Sequence, residues 1–136
     1  MDSLNLELKV HHIGYLVKNI DKATEAFLKL GYVISTPKTY DDYRKVDITF
    51  LDKDGYCVEL ISPTCEDSLV CGLMAKYKNS PYHICYETDN LEETASLISA
   101  NGFTAMDMPT PAPAISGHRV QFFTNRYMGM IELVEK

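Results

Sequence analysis

The sequence predicts an α+β fold made of two copies of a βαβββ module whose strands join in one mixed sheet. Three observations predict it. The run His12, Ile13, Gly14, Tyr15, Leu16, Val17 returns 71 residues later as His83, Ile84, Cys85, Tyr86, Glu87, Thr88. The correspondence continues without a gap: Asn19 falls on Asn90, Ile20 on Leu91, Gly31 on Gly102 and Tyr32 on Phe103. Each copy then closes on an apolar run that carries one acid, Val58-Glu59-Leu60-Ile61 and Ile131-Glu132-Leu133-Val134, at an offset of 73. A repeat of this length is a unit of architecture, because neither copy can bury its apolar face alone.

The first module spans about residues 6–63 and begins with a strand, Leu6 to Val17. His12, Gly14 and Leu16 share one face of it, and His11, Ile13 and Tyr15 the other. Asn19 can cap a helix reaching about Leu30, with Ile20, Ala23, Ala26, Phe27 and Leu30 as its apolar stripe and Gly31 beyond its end. Tyr32 to Thr36 reads as a short strand stopped by Pro37, and Lys38 to Lys45 as a polar loop. Val46 to Leu51 and Tyr56 to Ile61 are a hairpin around the Asp-Gly turn at Asp54 and Gly55. A linker of about residues 64–80 follows, with a short helix through Leu69, Val70, Leu73 and Met74 capped by Asp67 or Ser68.

The second module, about residues 81–136, repeats the order. Tyr82 to Thr88 is a strand, and Asp89-Asn90-Leu91-Glu92 opens a helix with Leu91, Ala95, Leu97 and Ile98 inside. Phe103 to Met108 is a short strand. Pro109, Pro111 and Pro113 stiffen a loop to Gly117, and Arg119 to Thr124 pairs with Met128 to Val134. The 136 residues are expected to form a single domain.

Composition bounds the function. The hydrophobic share of 46% and charged share of 24% are those of a globular protein. A net charge of −6 argues against a nucleic-acid or anionic-membrane surface. Apolar runs are too short to span a bilayer, and Met1-Asp2-Ser3 lacks the basic start of a signal peptide. Cys57, Cys65, Cys71 and Cys85 form no C-x-x-C pair and read as reduced thiols of a cytoplasmic protein.

Alternation decides whether the repeated polar groups can meet. Val58 and Leu60 take the helix-packed face of their strand, so Glu59 points away from it; Ile131 and Leu133 do the same for Glu132. His12 and His83 fall on that same far face. A single strand His or Glu is ordinarily a hydrogen-bonded or edge residue. Two of each, at equivalent positions on one face, need a shared reason. A divalent cation supplies it: imidazole nitrogen and carboxylate oxygen suit Zn, Ni, Co, Mn or Fe, and two carboxylates balance the charge. Cys57 and Cys85 also fall on that face and read as small cavity-lining residues. His11 faces the other way, His118 is solvated, and Arg44, Arg119 and Arg126 are open to holding an anion or to lying in solvent.

These motifs resemble the vicinal oxygen chelate superfamily, which includes glyoxalases, bleomycin-resistance proteins and extradiol dioxygenases. The resemblance covers Val10 to Glu135 and is carried by His12-Ile-Gly-Tyr-Leu-Val, Val58-Glu-Leu-Ile-Ser-Pro, Tyr82-His-Ile and Ile131-Glu-Leu-Val. It implies a cup-shaped sheet around one divalent ion, with His12, Glu59, His83 and Glu132 as ligands. Glu59-Leu-Ile-Ser-Pro, Glu66-Asp-Ser and Gly117-His-Arg-Val-Gln-Phe-Phe are similar to segments of methylmalonyl-CoA epimerases, whose second acid has only Asp41 or Asp42 as a counterpart here. The resemblance therefore implies a metal-dependent isomerase working through an enolate, with Glu132 or Glu59 moving the proton. Its substrate would be an acyl-CoA thioester, and the expected assembly is a homodimer. The alternatives are a glyoxalase I-type lyase acting on a thiol adduct, an antibiotic-binding protein of the same fold, and a dioxygenase using two His and one carboxylate.

Overall fold

A computed structural model describes residues 3–136. Met1 and Asp2, at the start of the stretch read as lacking a signal peptide, lie outside the described residues. The first module is β1 (Lys9–Leu16), α1 (Ile20–Lys29), β2 (Val33–Asp41), β3 (Val46–Lys53) and β4 (Tyr56–Pro63). The linker carries α2 (Cys71–Tyr77). The second module is β5 (Ser80–Thr88), α3 (Leu91–Ser99), β6 (Phe103–Ala105), β7 (Thr110–Pro111), a 3-10 turn at Pro113–Ile115, β8 (Arg119–Asn125) and β9 (Gly129–Glu135). All strands belong to one sheet, ordered β2-β3-β4-β1-β5-β9-β8-β6, with β7 also on β8. Each module places its first strand parallel to its last, β1 with β4 and β5 with β9, and the modules meet where β1 runs antiparallel to β5.

The two long helices start identically. Asn19 accepts the Lys22 backbone N–H at 3.0 Å and Asn90 accepts that of Glu93 at 3.0 Å, so each satisfies one of the orphan donors of a helix start. Ile20, Ala23 and Phe27 of α1 pack on Val58, Leu60 and Leu51, while Leu91 and Ile98 of α3 pack on Ile131, Leu133 and Phe123. These contacts claim the face that alternation assigned to Val58, Leu60, Ile131 and Leu133. The opposite face holds a second cluster, Leu16, Val46, Ile48, Phe50, Ile61 and Tyr82, closed by Leu73, Met74 and Tyr77 of α2 and by Ala114 and Ile115 of the 3-10 turn. The linker and the proline-rich loop thus cover the concave face, and the modules' helices cover the convex one.

Several expectations need correction. The strand β1 starts at Lys9, and Leu6 packs instead beside the α3 cluster. Ala26, Leu30 and Leu97 face solvent: Ala26 and Leu97 fall beside the stripe that Ile20, Ala23 and Phe27, or Leu91 and Ile98, turn toward the sheet, and Leu30 is the cap residue beyond the last turn of α1. Pro37 does not stop β2, which continues to Asp41. It sits on an edge strand in a register shift between Thr36 and Thr39, where no ladder N–H is needed, and the Thr49 hydroxyl donates to the Thr36 carbonyl at 2.7 Å. The linker helix starts after Val70 with no side-chain cap; Ser68 donates instead to the Arg44 carbonyl. The strand expected to reach Met108 ends at Ala105, and the Asp107 carboxylate accepts the Phe122 N–H at 2.9 Å in place of a ladder bond.

Two bulges interrupt the β1–β5 seam. Pairing steps from Val10–Tyr86 to His12–Cys85, leaving His11 as the extra residue on β1, and from Gly14–His83 to Tyr15–Pro81, leaving Tyr82 as the extra residue on β5. His11 and Tyr82 are repeat equivalents, each immediately before a strand histidine. Opposite His83 lies Gly14, where an added Cβ would stand 2.0 Å from the imidazole Cε1 and 2.3 Å from Nδ1. Gly14 is thus absent of side chain because the ring fills that space. Gly14→Ala is expected to force the His83 ring aside and destabilise the protein by about 1–3 kcal/mol, the usual cost of overpacking. Denaturant unfolding of the two proteins measures it, and equal midpoints would remove the steric account.

Candidate metal centre

The histidines descend from β1 and β5, the glutamates from β4 and β9, and the parallel pairings bring each glutamate beside its own module's histidine strand. His12 is 1% exposed, and Glu59, His83 and Glu132 are each 4% exposed. His12 Nε2 lies 3.1 Å from Glu132 Oε1 and 3.3 Å from Glu59 Oε1. His83 Nε2 lies 3.0 Å from Glu132 Oε1, 3.7 Å from Glu59 Oε1 and 3.4 Å from His12 Nε2. One donor atom from each of the four lies within 4.8 Å of all the others. The four residues singled out in the repeat therefore converge on one point.

The donor set fits a divalent cation. Two anionic oxygens neutralise the ion, and two imidazoles complete a borderline set of the kind Zn, Ni, Co, Mn and Fe accept. Without an ion, protons must do that work. Burial alone lowers the His12 pKa, but the Glu59 charge and hydrogen bonds to Glu132 and Glu59 outweigh it and raise the value from 6.5 to about 10. Burial likewise pushes Glu132 up, and hydrogen bonds from His12 and His83 overcome it, holding its carboxyl well below the usual range.

A second row supports the first. His12 Nδ1 lies 2.7 Å from His11 Nδ1. His12 presents Nε2 to the centre, so its Nδ1 carries the hydrogen and His11 accepts it. Burial and then the neighbouring His12 lower the pKa of His11, which keeps that ring neutral and able to accept. His11 thus contradicts the expected outward orientation: the bulge turns its ring onto the concave face, edge-on to His12 and Phe50. Strict alternation missed it, although the repeat aligns it with Tyr82, whose ring centroid is 4.4 Å from that of His83. His83 Nδ1 is buried without a partner.

Other nominated groups sort themselves. Burial raises the thiol pKa of Cys57, to about 12, and of Cys85, so both stay protonated and serve as packing. All four cysteines are unpaired. His118 is exposed and bonds the Glu135 carbonyl, Arg119 pairs with Glu135 and Glu92, and Arg126 lies over the Tyr127 ring, all away from the centre. Asp42 is exposed, whereas Asp41 is buried beside Arg44. A cavity of about 40 Å³ is lined by Glu59, Glu132, Asp41, Arg44 and Tyr82, and a second, of about 260 Å³, with Leu69, Leu73, Met106 and Met130, lies against it and shares Arg44, Tyr82 and Phe122 as walls.

A curved sheet of two βαβββ modules around such a set is the vicinal oxygen chelate fold. The chain belongs to the glyoxalase/bleomycin resistance protein/dioxygenase superfamily, whose pattern matches residues 11–122. Among solved structures it is similar to a hypothetical protein of Bacillus halodurans C-125, at 23% identity and TM-score 0.84 over 96% of this chain and 95% of that one. Methylmalonyl-CoA epimerase from Mycobacterium tuberculosis matches at 20% identity and TM-score 0.82, over 99% and 92%. A Streptomyces coelicolor methylmalonyl-CoA epimerase variant in complex with 2-nitronate-propionyl-CoA matches at 25% identity and TM-score 0.76, over 94% of each chain. No curated protein sequence matches. Among the described residues, no helix is long and apolar enough to cross a membrane.

Two outcomes follow from the cluster. Protein reconstituted with a divalent ion is expected to bind one equivalent by element analysis, and the His12→Ala/His83→Ala variant to bind none. In the metal-free protein, His12 contributes stability that is full below pH 6.5 and lost as pH rises toward its folded value of about 10. Glu132, with its pKa depressed from 4.5, contributes stability that is present above pH 4.5 and lost in acid. The metal-free melting midpoint should therefore fall from pH 6.5 to 10, while metal affinity rises over the same range as His12 gives up its proton. A flat metal-free midpoint there would contradict the paired assignment.

Proposed function

We propose that the protein is a divalent-metal-dependent isomerase of the epimerase kind, moving a proton on the carbon beside an acyl-CoA thioester carbonyl. The observation that supports it is the convergence of His12, Glu59, His83 and Glu132 within 4.8 Å of one another, beside a small buried cavity that the two glutamates line and that shares walls with a larger one. Those four residues would hold the ion. The ion, when bound, supplies Lewis acidity toward a substrate carbonyl and so acidifies the carbon next to it.

The chain's own residues supply the rest. Glu132, which lines the small cavity, is placed to accept the proton, and the hydrogen bonds from His12 and His83 keep it in the ionised form that can do so. Glu59 lines the same cavity as a second carboxylate. Epimerisation needs a group to remove the proton and one to return it to the opposite face, and the pair meets that need. Asp41 does not: both of its oxygens are occupied by Arg44. His12, steadied by His11, and His83, seated over Gly14, keep the two carboxylates in place. Val70, Tyr82, Ala112 and Ile115 line the same pocket and limit the water in it.

The acyl-CoA class is supported by the neighbours seen with 2-nitronate-propionyl-CoA and with methylmalonyl-CoA. The larger cavity, of about 260 Å³, offers an apolar channel for the acyl and thiol-linked arm. A homodimer is the proposed assembly, checked by light scattering.

The test is exchange of the α-hydrogen of a 2-methyl acyl-CoA for solvent deuterium by the metal-loaded protein. Glu132→Gln is expected to slow exchange by about a hundredfold or more, the usual contribution of a positioned base. Exchange confined to hemithioacetals would assign the protein to the glyoxalase type. Tight ligand binding with no exchange of either substrate would assign it to the sequestering type.

A further inference from the structure

The small cavity next to the candidate metal centre carries a group that the proton chemistry does not use. Arg44 lines it together with Glu59, Glu132 and Asp41. The Arg44 side chain is 11% exposed and that of Asp41 2%. Asp41 is spent on Arg44: Oδ1 accepts its backbone N–H at 2.9 Å and Oδ2 accepts Nη1–H at 2.7 Å. Nη1 also approaches the Pro111 carbonyl at 3.4 Å, and the guanidinium carbon lies 5.4 Å from the Tyr43 ring centroid. The Arg44 carbonyl accepts from the Ser68 hydroxyl at 2.8 Å and the Leu69 N–H at 3.2 Å, tying the loop to the linker. The guanidinium is therefore fixed by its backbone, by one nitrogen and by one face. Nη2 is buried and has no acceptor.

A buried donor on a cation is costly to leave unmade, and the cost falls on the protein until an acceptor arrives. Proteins tolerate such groups at binding sites, where the ligand completes them. The geometry points to Arg44 as the specificity-determining residue of this site, its Nη2 taking a carboxylate borne on the substrate's acyl group. The class of ligand follows from the surroundings. A cavity of about 40 Å³ flanked by two carboxylates is too small and too negative for a phosphate dianion. A single carboxylate offers planar oxygens that match a guanidinium edge. Asp41 balances the single charge of Arg44 through Nη1 and leaves the Nη2–H donors without an acceptor, free to recognise it. Among the substrates considered, a 2-carboxyacyl thioester has such a group and a simple hemithioacetal does not. The thioester part of this inference rests on the isomerase reading; the carboxylate part does not.

The test compares the metal-loaded wild type with Arg44→Met and with Asp41→Asn/Arg44→Met, the second variant removing both buried charges so that the fold is kept. The probes are the CoA thioesters of 2-methylmalonic and isobutyric acids, which differ in one carboxylate, and free malonate and acetate. Calorimetry is expected to show the wild type binding the carboxylated thioester about tenfold or more tighter than its partner, as one charge-assisted hydrogen bond provides. Malonate and acetate, each carrying a carboxylate for Nη2, should both raise the wild-type melting midpoint. The thioester preference and this protection should vanish in the two variants. Equal affinity of the wild type for both thioesters, or a preference that survives in the variants, overturns the inference and leaves the isomerase reading standing. Failure of both thioesters to bind, with Arg44-dependent protection by malonate, would instead overturn the isomerase reading and keep the carboxylate site. A wild type indifferent to every probe would overturn both.

Discussion

The structure depends on the burial of two carboxylates against each other. Glu59 and Glu132 each approach both His12 and His83 inside a site that water scarcely reaches. Like charges in such surroundings are costly, and only cations or protons relieve them. The sheet delivers that relief. Each module's parallel pair places an acid beside a histidine, and the antiparallel seam between β1 and β5 brings the two pairs face to face. Neither module holds a complete set, so whatever cation fills the centre stabilises the junction of the two.

Around this point the same device is used twice. The residue before each of the two central histidines is squeezed out of the seam as a bulge and turns its ring toward the centre. His11 becomes a hydrogen-bond partner of His12, whereas Tyr82 forms a wall against His83. Two copies of one backbone irregularity thus carry different chemistry. The concave face is then roofed by segments that lie outside the repeat, α2 of the linker and the 3-10 turn of the proline-rich loop. The Arg44 loop is bonded to the linker as well, so residues with no counterpart in the other module shape the pocket that the repeated residues line.

The repeat and the alternation of β4 and β9 made the architecture and the four converging residues legible in the sequence. Val58, Leu60, Ile131 and Leu133 name the helix-packed face, and Glu59 and Glu132 fall opposite without ambiguity. What could not be read has physical causes. Pro37 looks like a stop because strand interiors need its missing N–H, and only its place at the edge of the sheet removes that need. Alternation places His11 on the wrong face because it assumes an unbroken ladder, and a bulge breaks that ladder. Arg44 is indistinguishable from Arg119 and Arg126 in sequence. Its role depends on Asp41, a buried partner three residues away that pins one nitrogen and leaves the other bare.

The missing side chain of Gly14 has a consequence for the two imidazoles. In the repeat Gly14 corresponds to Cys85, and across the seam Gly14 faces His83 while Cys85 faces His12. His83 lies down on bare backbone with its Nδ1 unpartnered, whereas His12 is packed by a thiol-bearing residue and donates to His11. A ring whose far nitrogen donates to an acceptor is the more electron-rich of two otherwise equal rings. The pseudo-twofold symmetry of the scaffold therefore ends at its nitrogens. His12 is the better supported of the two nitrogen bases, so the two halves of the repeat would hold a cation unequally, the first module more firmly than the second.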